Sequence, residues 1–117
     1  MKKYNDADIE ELNKVANYLR RQSLTMIYHR QAGHPGGCLS AADIVAALYF
    51  HVLQIDPARP DWEDRDRFIL SKGHASALLY SALACAGTFR SLTWSTGGNW
   101  HATCRDIPTA SRRPAWI

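Results

Sequence analysis

The sequence predicts an α/β unit, mostly helical as it stands, that forms the start of a larger parallel-sheet domain. Three observations point there. Apolar residues recur at helical spacing through two long stretches, a third stretch is rich in alanine and leucine, and the run Phe68-Ile69-Leu70 alone reads as a strand. One strand flanked by helices cannot close an α/β core, because a parallel sheet needs neighbouring strands and cover on both faces. With 117 residues, 46% of them hydrophobic, the chain holds one modest core.

Ile9, Leu12, Val15, Ala16, Leu19, Met26 and Ile27 predict an amphipathic helix over 6–31, with Asp6, Asp8, Glu10 and Glu11 near its positive end. Gly33-His34-Pro35-Gly36-Gly37 should end it and form a tight loop, since proline lacks an amide donor and glycine opens unusual backbone angles. Ser40 stands three residues before Asp43, which approximates a capping box, and Ile44, Val45, Leu48 and Val52 supply the buried stripe of a second helix ending near Leu53. Asp56, Pro57, Pro60, Trp62 and the mixed charges of 61–67 mark a surface connection into the strand at 68–70. Ser71-Lys72-Gly73-His74 then leads into a helix over 75–86 that Gly87 caps.

The net charge of +3 is confined to the end of the chain. Basic and acidic residues balance through Gly87, whereas Arg90, Arg105, Arg112 and Arg113 afterwards oppose Asp106 alone, alongside Trp94, Trp100 and Trp116. Such a tail suits phosphate contact and base stacking, so a small non-enzymatic binding or regulatory protein touching nucleic acid is the competing reading. Against it, the tail shows neither the 3.6 nor the 2 period that would gather its tryptophans on one face. No apolar run approaches the ~18 residues of a membrane span, and the charged start lacks a cleavable leader, so a cytoplasmic chain without membrane contact is expected. Cys38, Cys85 and Cys104 form no C-x-x-C pair and read as ordinary thiols.

Two histidines occupy glycine-flanked loops, His34 in GHPGG and His74 in SKGH, the latter directly after the strand. Loops beyond the carboxyl ends of strands are where open α/β sheets bind ligands, and flanking glycines admit a phosphate close to backbone. Imidazole can donate to a hydroxyl or phosphate oxygen and move a proton near neutral pH. His29 and His51 lack that setting and read as structural or solvated. His34 and Cys38 have the spacing of half a zinc site, but no second pair accompanies them.

GHPGGCLSAADIVAALYF followed by DPARPDWEDRDRFILSKGHASALLYSALACAG resembles the amino-terminal thiamine diphosphate-binding region of transketolase, in the style of transketolases encoded as two halves. The resemblance implies transfer of a two-carbon ketol unit between sugar phosphates, with thiamine diphosphate and magnesium as cofactors. It also implies a carboxy-terminal transketolase half as partner, a homodimer-like assembly and no nucleic acid. By position, His34 would contact the donor substrate and His74 would lie beside the cofactor diphosphate and substrate oxygens, giving both catalytic roles. Asp66 and Arg67 would hold the turn before the strand. The elements that hold the metal in the family have no counterpart here, so no metal ligand is assigned and the chain alone is expected to be inactive.

The resemblance stops at Gly87, where the family continues with Tyr-Phe-Pro. Joining the last base of each codon to the first two of the next permits Tyr-Phe-Pro from Gly87 to Arg90 and Trp-Arg-Gln-Leu from Thr96 to Trp100. The same offset permits Gln-Gly-His-Pro-Asp from Cys104 to Thr109 and Thr-Pro-Gly-Val-Asp from Arg112 to Ile117. Residues 1–87 therefore read as the start of the domain and 88–117 as an out-of-frame tail whose arginines and tryptophans need no functional account.

Overall fold

The computed structural model describes residues 4–88. Apart from Thr88, the tail and its arginines and tryptophans lie outside the described residues. Helix α1 runs Asp6–Arg30. Asn5 and Asp8 cap it reciprocally, each side chain accepting from the other's backbone amide, at 2.9 and 3.0 Å. At the far end Gln31 turns left-handed at φ 51°, and its side-chain amide donates to the Tyr28 carbonyl at 2.6 Å. Gly33 follows at φ 136°, where a Cβ would meet Ile27 Cγ1 at 2.7 Å, so only glycine fits the reversal.

Helix α2 begins at Pro35 and runs to Ala47, continuing as a single π-helical turn over Leu48–Val52. The start corrects the sequence reading: Pro35-Gly36-Gly37 forms the first turn of the helix, not the loop before it. Proline suits that position, because the amide it lacks is one the first turn leaves unpaired anyway. Ser40 is accordingly no cap. It lies one turn inside, its hydroxyl donating to the Gly37 carbonyl at 3.2 Å. The earlier start also turns a different face inward. Cys38, Ala42, Val45 and Ala46 are buried, whereas Ile44 is 64% exposed and Val52 52%, contrary to the expected stripe. Together, 35–52 form a helix long and apolar enough to span a membrane by length and composition, which the sequence reading overlooked. One of its faces, Cys38, Ala42, Val45 and Ala46, is buried in the core cluster, and Asp43 is ion-paired to Arg20.

The segment at 68–70 has no regular secondary structure and pairs with no strand among the described residues, so the predicted strand and sheet are not seen there. The reason is the one that made the unit incomplete in sequence: an extended run forms ladder hydrogen bonds only with a neighbour. Its side chains still alternate. Phe68 stands edge-on to Tyr49 at 5.8 Å, Leu70 packs on the core, and Ile69 between them is 85% exposed. Asp66 fastens the connection, its amide donating to the Gln54 carbonyl at 2.9 Å and its carboxylate accepting from the Gln54 amide at 2.7 Å. The Arg67 guanidinium donates to the carbonyls of Glu63 and Arg65. Both residues brace the turn, as expected.

A 3-10 turn over Gly73–Ala75 leads into helix α3, Ser76–Ala86. Gly87 closes α3 at φ 88°, and the amides of Gly87 and Thr88 donate to the Ala84 and Leu83 carbonyls at 3.1 and 3.0 Å. Val15 and Leu19 of α1, the small residues of α2, and Leu78 and Ala82 of α3 form one buried cluster. Leu19→Ala and Leu78→Ala are each expected to destabilise the chain by about 2–5 kcal/mol in denaturant titration. Ile69→Ser, on an exposed side chain, should stay within about 0.5 kcal/mol.

Candidate functional site

His34 and His74, forty residues apart in sequence, meet edge to face with ring centroids 5.5 Å apart. His34 is the residue at which the backbone enters α2, held extended at φ −128°, ψ 93°. His74 sits in the middle of the 3-10 turn, where the Ala75 amide donates to the Lys72 carbonyl at 2.9 Å. Both imidazoles are exposed.

Gly37 lies at the closest approach of the two segments. A Cβ there would stand 2.7 Å from His74 Cδ2, 2.9 Å from Nε2 and 3.4 Å from Lys72 Cε, so the ring and the lysine stem rest on bare backbone. Gly36, one residue earlier, has nothing within 4 Å of the same position. Lys72 reaches over the helix start, its ammonium donating to Ser40 Oγ at 3.1 Å. No side chain caps α2. The Gly36 and Gly37 amides at the positive end of the helix, with Lys72 and two imidazoles beside them, suit an anion with several oxygens.

Of the residues that meet here, sequence reasoning singled out His34 and His74 as site candidates but not Lys72, Gly37 or Ser40. The signal for Lys72 was its place in the same four-residue turn as His74. The other two depended on where α2 begins. His29 and His51 stand apart, His29 against Tyr28 with centroids 5.5 Å apart and the partly buried His51 against Tyr4 at 5.6 Å. Cys38 is fully buried in the core while His34 is exposed, so the two do not share a site. Among the described residues no three His, Cys, Asp or Glu side chains group to hold a metal ion.

The family of transketolase thiamine diphosphate binding domains matches residues 11–105. Among curated proteins, the chain is 47% identical over 79 residues to a 6-deoxy-6-sulfo-D-fructose transketolase subunit of Clostridium sp. (strain MSTE9), covering 68% of this chain and 29% of that protein. It is 47% identical over 74 residues to the transketolase of Buchnera aphidicola, covering 63% of this chain and 11% of that protein. With the transketolase of Aquifex aeolicus the identity is 41% over 100 residues, or 78% of this chain and 14% of the relative. The chain thus spans less than a third of the length of these relatives.

Gly36→Ala and Gly37→Ala separate the two glycines experimentally. Both should favour the helix by up to about 1 kcal/mol, because alanine loses less backbone freedom than glycine on folding. Only Gly37→Ala is expected to offset that gain and to shift the His74 ring resonances in an imidazole NMR spectrum.

Proposed function

The chain belongs to the family of transketolase thiamine diphosphate-binding domains, and from that premise we propose that it is the amino-terminal section of a two-part transketolase. The intact assembly would transfer a two-carbon ketol unit between sugar phosphates. The observation that carries this reading is the meeting of His34 and His74 on the two loops that carry the resemblance, beside a helix start suited to phosphate. A relative named as a transketolase subunit supports the two-part arrangement. The partner would be the carboxy-terminal half, in a homodimer-like assembly and in the cytoplasm.

The residues present fit one part of the cofactor. The uncapped first turn of α2, the bare backbone at Gly37 and the Lys72 ammonium match the charge and oxygen donors of a diphosphate. When bound, thiamine diphosphate would supply the means to hold the two-carbon unit between donor and acceptor. His74 would donate to a phosphate oxygen or a sugar hydroxyl. His34 would orient the donor sugar beside its carbonyl and exchange a proton with that oxygen or its neighbouring hydroxyl. The magnesium ligands would come from elements other than those described, and residues 4–88 by themselves would not turn over substrate.

Residues 1–87 would be the start of the cofactor-binding domain, with an α/β fold in which 68–70 is a strand that gains neighbours from the rest of the domain. Its alternating side chains support this. Residues 88–117 would be read out of frame after a one-nucleotide deletion; the family match in the given frame runs past Gly87 to residue 105, which tells against this, and the coding DNA decides, because restoring one base near the Gly87 codon should open a long frame that continues the family's sequence.

The histidine roles are tested in residues 1–87 joined in frame to the remainder of a family transketolase. His34→Ala and His74→Ala should each lower ketol transfer by about 10² to 10⁴ with little change in melting temperature, the usual cost of a positioned proton donor or charge-stabilising contact. His51→Ala should leave the rate near that of the unsubstituted enzyme. Normal turnover in both loop variants would refute the assignment.

A further inference from the structure

We infer that Arg20 is a positioning residue for this site: its guanidinium ties α1 to the second turn of α2 and so sets where His34, Gly37 and Ser40 stand against His74 and Lys72. The inference rests on the proposed reading of the site for its functional meaning. Its test reads ring geometry and can fail while that reading stands.

The guanidinium is engaged on every side that faces protein. Nε donates to the Leu39 carbonyl at 3.2 Å. Nη1 donates to Asp43 Oδ1 and to Asn17 Oδ1, both at 3.2 Å, and Nη2 to Asp43 Oδ2 at 2.5 Å. The Arg20 side chain is 26% exposed against 61% for Asp43, so the arginine is covered by the interface and the carboxylate meets it from the rim. A forked, partly desolvated pair of this kind fixes direction as well as distance, which a lone surface ion pair does not.

Direction is what the apolar burial between α1 and α2 does not supply. The face that α2 buries is Cys38, Ala42, Val45 and Ala46, mostly small side chains that let the helices approach closely. Hydrophobic burial is non-directional, and small side chains offer shallow ridges to resist a slide along the helix axis. Leu39, which Arg20 holds by its carbonyl, is two residues from Gly37 and one from Ser40. A shift of α2 by an ångström would drive Gly37 into the His74 ring or lift it away, and would stretch the 3.1 Å bond between Lys72 and Ser40. The clamp therefore sits where small errors of register reach the site.

The test is the cross-ring nuclear Overhauser effect between His34 and His74 in the full chain, measured beside the melting temperature. Arg20→Lys keeps the charge opposite Asp43 but cannot fork to Leu39 as well, so the cross-peak should weaken at least about twofold while the melting temperature falls little. Asp43→Asn keeps one acceptor and should weaken it less. A fall in melting temperature with an unchanged cross-peak would make Arg20 merely structural and overturn the inference, as would a missing cross-peak in the unsubstituted chain. If Arg20→Lys fails to fold, Asp43→Asn decides by the same readout.

Discussion

Where the first turn of α2 passes the Lys72 turn, the chain has room for backbone and nothing more. The absence of a Cβ at Gly37 lets the His74 ring and the Lys72 stem rest on α2, and that contact brings His74 to His34 and the lysine ammonium to Ser40. The remaining architecture serves this approach. Pro35 starts the helix early enough to put Gly37 in its first turn, Asp66 and Leu70 fasten the connection that returns the chain to the site, and small core residues let α2 lie close to its neighbours. A site made this way is a meeting of two segment ends and not a cavity enclosed on all sides.

Much of this was legible in the sequence because local rules agreed with one another. Helical spacing and acidic residues near the start fixed α1 to within a residue, Gly87 ended α3 as a glycine cap does, and Asp66 and Arg67 brace the turn assigned to them. The histidines stood out by their glycine-flanked loops. Three features were not legible. Pro35 was read as a helix breaker when it was a helix starter, two roles that the residue type alone does not separate. Ile44 was placed inside because it is apolar, yet the buried face of α2 belongs to smaller residues that permit closer packing. The segment at 68–70 alternates in burial but pairs with no strand among the described residues, and pairing is a property of neighbours that a single run does not carry.

A chain with a well-packed core shows much exposed apolar side chain. Ile44, Val52, Ile69 and Tyr80 all stand in solvent, on a chain that spans less than a third of the relatives it matches. Under the proposed function these are surfaces belonging to a larger domain, and the anion-suited helix start is one wall of a site whose other walls come from the remainder.

The most direct test of that account is calorimetric titration of thiamine diphosphate with magnesium into two proteins. One is the chain alone. The other is residues 1–87 joined in frame to the remainder of a family transketolase. The account predicts saturable, magnesium-dependent binding by the fusion and none at micromolar cofactor by the chain, because about 8 kcal/mol of affinity is beyond an open half-site. Tight binding by the chain alone, or a folded fusion that binds nothing, would contradict it.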